Sequence, residues 1–249
     1  MSKMEVCVDC VESAVNAAAG GACRLELCSA LSEGGLTPTP GLLEIIKTHV
    51  SIPVFVMLRP RCGGDFIYSD AEVEVMKIDA KRLKDSGADG FVFGALTKCG
   101  KVDEKVCAQL LQIIAPLPAT FHRAFDLVSD PNEALETIVR LGFTRILTSG
   151  QESSAEKGIP MIKTLVAKSE NRIIIMPGAG ITKSNLESIL KIPGIKEFHG
   201  SARMPKRVDV KTHNTKCTMG SGEDFVLMVT SSELVQEMVG IARNIVKEQ

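Results

Sequence analysis

The feature that most constrains the fold is a regular alternation of short strand-like runs and helical runs along the whole chain. The first unit is Met4–Asp9, a helical run of small residues, and then Cys23–Ser29. Eight such strand-like runs follow one another without a linker or a change in composition. This alternation predicts a parallel sheet. Eight units in about 200 residues favour a closed (β/α)8 barrel, the TIM barrel, over an open doubly wound sheet, which stays as the alternative.

We therefore expect an α/β protein with a single domain over residues 1–249. Residues 204–230 are polar and are predicted to be irregular, and they would either cap the barrel or pack across a subunit interface. A final helix is predicted at Ser232–Lys247.

Composition narrows the function classes. A net charge of −1 argues against nonspecific nucleic-acid binding, which needs clustered Lys and Arg. The sequence shows neither a basic-then-apolar N-terminal segment nor an apolar run of about 18 residues, so we expect a cytoplasmic protein without membrane contact. In that compartment the 8 cysteines are expected to be reduced thiols, and their spacing does not match a paired structural zinc motif.

The predicted strands of the first unit are apolar on one face only. Side chains alternate along a strand, so Val6 and Val8 share one face while Glu5 and Cys7 share the other. The same alternation along the other strands points a polar set into the barrel: Glu5, Cys7, Arg24, Glu26, Cys28, Met57, Arg59, Thr120, His122, Glu197 and His199. Buried polar groups must pair with one another or line a ligand site.

Two explanations of this polar interior stay open. In the first, the interior is a structural network in which Arg24 and Arg59 neutralise Glu5, Glu26 and Glu197. In the second, the interior contributes to a ligand site. The second explanation also accounts for the further polar residues on the loops, so it is the one we favour.

Cys7 and Cys28 suggest a metal site. They are placed on adjacent strands, face the same way and are expected at the same depth. Neighbouring strands lie about 4.8 Å apart, so two thiolates there could share one soft ion, and thiolates select Cu(I). Met57 faces the same interior and could assist. The alternative is that a buried cysteine acts as a small hydrophobic residue.

Polar residues also collect at the carboxyl ends of the strands, where TIM-barrel active sites lie. Arg59 and Arg61 are candidates to hold an anion. His122 is the candidate acid or base, with Asp126 or Glu26 in support. This pattern predicts a second function, that of a barrel enzyme of unassigned reaction acting on a small anionic metabolite.

A phosphate could be held after the seventh strand. Gly178 and Gly180 lie between that strand and a helix, where backbone N–H groups often bind phosphate, and Ser149 could add a donor. The alternative is that glycine is simply the usual residue of a tight strand-to-helix turn.

The chain resembles the CutC copper homeostasis family, most closely its animal members, which share the Glu-Val-Cys-Val-Asp and Leu-Cys-Ser runs. The resemblance rests on the following stretches: Met4–Asp9, Arg24–Ser29, Ser32–Pro38, Arg59–Arg61, Gly63–Phe66, Tyr68–Asp70, Thr120–Asp126, Leu147–Gly150 and Pro177–Ile181. It implies a (β/α)8 barrel, a cytosolic and also nuclear location, a homo-tetramer, and Cu(I) bound at Cys7 and Cys28. The resemblance implies no settled reaction, so a metal-binding oligomer without enzymatic activity is a third possibility.

The sequence departs from the family pattern at three positions. Cys23 stands where an Asp is usual, Cys62 is an extra residue in the Arg-Pro-Arg-Gly-Gly-Asp loop, and Gly200 replaces a Cys found in some animal relatives. These departures affect the geometry expected at the barrel mouth, but they leave Cys7 and Cys28 in place.

Overall fold

The computed structural model describes residues 2–209 and 224–245 of the chain. Eight parallel strands run through it: β1 Lys3–Val8, β2 Arg24–Leu27, β3 Val54–Met57, β4 Gly90–Phe93, β5 Ala119–Phe121, β6 Arg145–Thr148, β7 Ile174–Pro177 and β8 Glu197–Gly200. They pair in the order β7-β6-β5-β4-β3-β2-β1-β8, and β7 also contacts β8 across the remaining gap. The sheet is therefore a nearly closed (β/α)8 barrel, as the alternation predicts.

Helices connect the strands on the outside: α1 Val11–Ala19, α2 Pro40–His49, α3 Asp70–Asp85, α4 Glu104–Ile114, α5 Pro131–Leu141, α6 Ile159–Ser169, α7 Lys183–Leu190 and, after the last strand, α8 Ser232–Ile245. Several ends have clear local causes. Ser69 and Glu72 form a reciprocal capping box at the start of α3. Asp130 caps α5 ahead of Pro131, and Gly142 ends that helix with a φ of +93°.

The apolar core lies between the barrel and its helices. Val6, Val8, Leu25 and Leu27, the outward residues of β1 and β2, are fully buried there. The barrel interior holds a much smaller apolar cluster consisting of Cys28, Phe55, Met57 and Val92. The apolar face of β1 and β2 therefore packs in this outer core, and their polar face points into the barrel interior.

The segment after β8 differs from the prediction. Residues 204–230 were expected to be irregular, but Arg203–Arg207 (β9) and Val226–Thr230 (β10) form an antiparallel pair. This pair is anchored to α1, because the Thr230 amide donates to Ser13 Oγ at 3.1 Å and Asn16 Nδ2 donates to the Thr230 carbonyl at 2.9 Å. The remainder of that segment, residues 210–223, lies outside the described residues.

A second difference follows β5. The sequence pattern predicts one strand over Ala119–Asp126 with a polar end, but β5 ends at Phe121 and a 3-10 helix occupies Arg123–Leu127. The cause is His122, whose Nδ1 accepts a hydrogen bond from the Ala124 amide at 3.3 Å and so caps the turn. The alternation of polar and apolar residues does not show that the His122 side chain caps the turn and so ends the strand.

Candidate functional site

Strand register brings the polar interior residues together around β1. Glu5 lies opposite Arg24 on β2 and opposite His199 on β8, and Cys7 lies opposite Glu26. β1 therefore stands between two polar neighbours, and its inward side chains contact both.

Three of these side chains form a group able to hold a metal ion. The ligand atoms of Cys7, Glu26 and His199 all lie within 4.8 Å of one another. His199 Nδ1 is 2.8 Å from Glu5 Oε1, and its Nε2 is 3.7 Å from Glu26 Oε2. A carboxylate on one ring nitrogen commonly orients a histidine whose other nitrogen binds metal. Glu5 is placed to do this for His199.

Cys28 adjoins this group at a different level. The register puts Glu26, and not Cys28, opposite Cys7, and the Cys28 amide donates to the Val8 carbonyl at 2.9 Å. The expectation of equal depth is therefore wrong, since Cys28 lies two residues, roughly 7 Å, further along its strand than Glu26. Cys28 Sγ is 3.6 Å from Glu26 Oε2, so the Glu26 carboxylate lies next to both predicted ligands.

Glu26, His199 and Cys28 have pKa values above their ordinary ones. Burial raises the pKa of Glu26 to about 7, and the Glu5 charge adds to this while His199 opposes it. Burial works against a charged His199, but Glu26, Cys7 and Glu5 together outweigh it and raise its pKa well above the ordinary value. Burial, followed by the Glu26 charge, raises the pKa of the Cys28 thiol. A cation bound here would displace protons from these groups.

A separate ion-pair network lies beside this group. Arg24 bonds to both Glu5 and Glu197, and Arg145 Nε is 3.1 Å from Glu197 Oε2. The two guanidinium groups stand 4.9 and 5.0 Å from the centre of the Phe55 ring. Burial would raise the pKa of Glu5, but Arg24, with the largest opposing effect, and His199 lower it to about 2.

The structural-network explanation therefore applies to only part of the interior. Arg24 neutralises Glu5 and Glu197 as that explanation requires, but the second arginine is Arg145 rather than Arg59. Glu26 has no arginine partner in the ion pairs of the described residues, and its Oε1 is buried without a hydrogen bond.

The two arginines predicted to hold an anion mainly hold loops. Arg59 Nη1 donates to the carbonyls of Glu33 and Gly35 at 2.8 and 3.0 Å, and its Nη2 donates to the Gly63 carbonyl at 2.9 Å. Arg61 is half-exposed and pairs with Asp65 and with Glu72, the latter at 2.6 Å.

The predicted acid–base residues are also engaged locally. Burial, reinforced by the charge of Arg59, lowers the pKa of His122 to about 3, so its ring is neutral. Asp126 accepts hydrogen bonds from Thr148 Oγ1, from the Ser149 amide and from Arg123. These bonds fix the loop after β6. His122 keeps a buried Nε2 without a partner.

The three residues predicted to bind phosphate are placed differently from one another. A Cβ on Gly178 would lie 2.4 Å from Leu147 Cδ1, so any side chain there would force Leu147 to move. Ser149 Oγ donates to the Glu152 carbonyl at 2.6 Å. Gly180, with a φ of +67°, is the one of the three that borders the cavity described next, beside the first residues of α7.

A cavity of about 1100 Å³ opens at the carboxyl ends of the strands. Cys7, Glu26, Arg59, His122 and His199 contribute to its wall from the barrel. The other side is closed by residues of β9 and α8: Met204, Leu234, Glu237 and Met238. Of residues 204–230, Met204 therefore contributes to the mouth of the barrel, and α8 supplies the rest of this wall.

Sequence reasoning missed two participants. His199 was placed inward by alternation but was not assigned to the metal site, although it shares a face with Glu197 and follows it by two residues. Arg145 was not singled out, because a charged residue at the start of an otherwise apolar strand looks like a surface residue. Pairing between strands, which sequence alone does not give, brings both into the interior.

Comparison with known proteins agrees with this architecture. A CutC family model matches residues 2–204. The copper homeostasis protein cutC homolog of Homo sapiens is 55% identical over 97% of this chain and 89% of that protein, and the Mus musculus homolog is 54% identical over 97% and 90%.

Solved structures give the same result. CutC from Streptococcus agalactiae is 36% identical and superposes with a TM-score of 0.77 over 81% of this chain and 99% of that one. Thiamine phosphate pyrophosphorylase from Pyrococcus furiosus shares only the fold, with 14% identity and a TM-score of 0.58 over 98% and 96% of the two chains. The chain thus belongs to the CutC family, whose named animal members are copper homeostasis proteins.

Proposed function

We propose that this protein takes part in copper homeostasis by binding Cu(I) as cargo through Cys7 and Cys28 on adjacent barrel strands. The observation that carries the proposal is the group formed by Cys7, Glu26 and His199, whose ligand atoms lie within 4.8 Å of one another. Cys28 stands beside it, 3.6 Å from the Glu26 carboxylate.

The donor chemistry suits a soft ion. Thiolate sulfur selects Cu(I), and imidazole is compatible with it. His199 is held at Nδ1 by Glu5, which leaves Nε2 for an ion. The buried Glu26 Oε1, which has no partner, can accept the proton that a cysteine loses or can contact the ion itself. The ion can enter from the cavity, because Cys7, Glu26 and His199 line it.

Titration with Cu(I) in competition with a chelator of known affinity tests this proposal. We expect about one tightly bound Cu(I) per chain, lost in the double variant Cys7→Ser, Cys28→Ser. Two matched controls are available. Cys10 is half-buried like Cys7, and Cys107 is fully buried like Cys28, so Cys10→Ser and Cys107→Ser should retain the ion. Unchanged stoichiometry in the double variant would contradict the proposal.

The family resemblance also supports a proposal for location and assembly. We propose a cytosolic protein, also present in the nucleus, that assembles as a homo-tetramer as the animal-type resemblance implies. In the described part of the chain, no helix is both long and apolar enough to cross a bilayer. Sedimentation equilibrium of the full chain tests the assembly, and a monomer at micromolar concentration would argue against it. Fractionation of cells expressing the protein tests the location.

The cavity favours a second function, binding or conversion of a small anionic metabolite at the barrel mouth. Its volume of about 1100 Å³ is in the range of small-molecule sites. His122, Arg59 and Glu26 each have a buried polar atom without a partner, and all three line the cavity. If ligands bind there, a panel of small anions should raise the melting temperature of the copper-free protein.

A further inference from the structure

We propose that the deep part of this cavity binds an organic carboxylate, one oxygen of which accepts hydrogen bonds from His122 Nε2–H and Arg59 Nε–H. The proposal rests on ligand binding at the mouth, the second function above, and names the ligand class and the two donor atoms. It is independent of copper, because it uses neither cysteine.

The distribution of unpaired polar atoms is the first argument. Within residues 2–209 and 224–245, four buried side-chain atoms have no hydrogen-bond partner: Glu26 Oε1, Arg59 Nε, Tyr68 Oη and His122 Nε2. Three of these four residues line the same cavity. Buried polar groups in folded proteins nearly always have partners, so such a concentration in one cavity wall indicates a missing ligand.

The tautomer of His122 makes its unpaired atom a donor. Its Nδ1 accepts the Ala124 amide hydrogen at 3.3 Å, so Nδ1 carries no proton. A neutral imidazole then holds its single proton on Nε2. The ring is fixed in this position by Phe66 and Phe121, whose centroids are 4.7 and 6.2 Å from it. His122 therefore offers one immobile N–H to an acceptor.

Arg59 supplies charge as well as a second donor. Arg59 is 6% exposed, and its terminal nitrogens donate only to backbone carbonyls, those of Glu33, Gly35 and Gly63. The ion pairs within the described residues include no carboxylate partner for it, which is rare for a buried charge. Phe66 contacts both donor side chains, since its ring centroid is 5.3 Å from Arg59 Cζ and 4.7 Å from the centroid of the His122 ring. A ligand carboxylate would supply the missing negative charge.

The surroundings favour a carboxylate over a phosphate. Leu31, Met57, Phe66 and Leu147 provide apolar wall beside the two donors. One positive charge and two N–H groups match a carboxylate, whereas a phosphate carries more charge and more acceptor oxygens than these groups can pair. A phosphate would find more donors among Lys183, Ser184 and Arg203, which also contribute to the cavity wall.

Long-range 1H–15N NMR of the imidazole, on the copper-free full-length protein, tests the proposal directly. The probes are pyruvate, succinate and benzoate, the matched amide of each, and inorganic phosphate. We expect at least one carboxylate to shift the His122 Nε2–H resonance at saturation, and its amide to bind about tenfold more weakly. The exposed His49 serves as the internal control, since its resonance should not move.

Variants supply the second measurement. His122→Phe removes the donor and should weaken carboxylate binding about tenfold, whereas His122→Gln, which can still donate, should retain most of it. If His122→Phe does not fold, the wild-type imidazole shift decides. Absence of any carboxylate-induced shift would overturn the proposal. Phosphate binding that leaves His122 unmoved would also overturn it, but would leave ligand binding at the mouth standing.

Discussion

Two buried histidines in one barrel have opposite charge states, and their neighbours explain the difference. His199 faces Glu26, Cys7 and Glu5, which stabilise the imidazolium against the cost of burial. His122 is equally buried but faces Arg59 and aromatic rings, so burial and a like charge both favour its neutral form. A histidine's role in this barrel therefore depends on the strands beside it.

His122 should make stability depend on pH. Its folded pKa of about 3 lies below the unfolded value of about 6.5, so the unfolded chain takes up the proton first. The associated stability is complete above pH 6.5 and is lost as pH falls toward 3. Between pH 7 and pH 5 we expect the free energy of unfolding of the wild type to fall by about 2 kcal/mol through this residue.

Urea unfolding of the wild type and of His122→Gln at both pH values measures this contribution. Glu5 and His199 are present in both proteins, so their titration cancels in the difference. Equal losses of stability in the two proteins would show that His122 is not held neutral.

Sequence could predict which way these residues face, but not which residues they meet. Alternation along β1 and β2 placed Cys7, Glu26 and Cys28 inward, and the structure agrees. The register between the strands places Glu26 opposite Cys7 and Arg24 opposite Glu5. If one strand slides by two residues against its neighbour, each side chain still points to the same face but lies opposite a different residue. The pattern within one strand therefore cannot predict which residues are paired.

At the scale of elements, β1 organises the site because it pairs with β2 on one side and β8 on the other. The regular βα units could be predicted, since the apolar pattern and the capping residues that define each element lie within its own stretch of sequence. The β9–β10 pair was not, because Arg203–Arg207 carries three basic residues in five and its partner strand is distant in sequence. Its position is set by hydrogen bonds to α1, which are tertiary contacts.

The ion pairs that link β1, β2 and β8 should contribute strongly to stability. Arg24→Met leaves Glu5 and Glu197 with fewer positive partners in a buried site, so we expect unfolding to become easier by about 3 kcal/mol. Arg140→Met is the matched control. Arg140 pairs with Glu104 on the exposed surface, where solvent screens the pair, so its loss should destabilise the protein far less than the loss of Arg24.

Chemical denaturation of both variants checks this prediction. Similar small losses for Arg24→Met and Arg140→Met would mean that the interior network contributes no more than a surface pair, and the explanation of the polar interior as a charge-balanced network would fail.

At the scale of the whole molecule, the polar interior has distinct parts. Arg24 and Arg145 with Glu5 and Glu197 form a charge-balanced network, and the Cys7–Glu26–His199 group borders the open cavity. Glu5 joins them, since it bonds to both Arg24 and His199. The described residues after β8 complete the cavity wall, so the mouth depends on parts of the chain that are far apart in sequence.

Cargo binding should therefore stabilise the entire fold. An ion held by β1, β2 and β8 binds the folded barrel, and at a hundredfold excess over its dissociation constant it should add about 2.7 kcal/mol. We expect Cu(I) to raise the melting temperature of the wild type by several degrees under anaerobic conditions. Calorimetry should show no such rise for the double variant Cys7→Ser, Cys28→Ser, and an equal rise in both proteins would place the ion elsewhere.

X-ray absorption at the copper edge of protein loaded with one equivalent of Cu(I) tests the central claim most directly. The proposed site predicts a first shell that contains sulfur, with two thiolates from Cys7 and Cys28 and an imidazole contribution that disappears in His199→Gln. A first shell without sulfur, or one that is unchanged when both Cys7 and Cys28 are replaced by serine, would contradict the assignment of the copper site to the barrel interior.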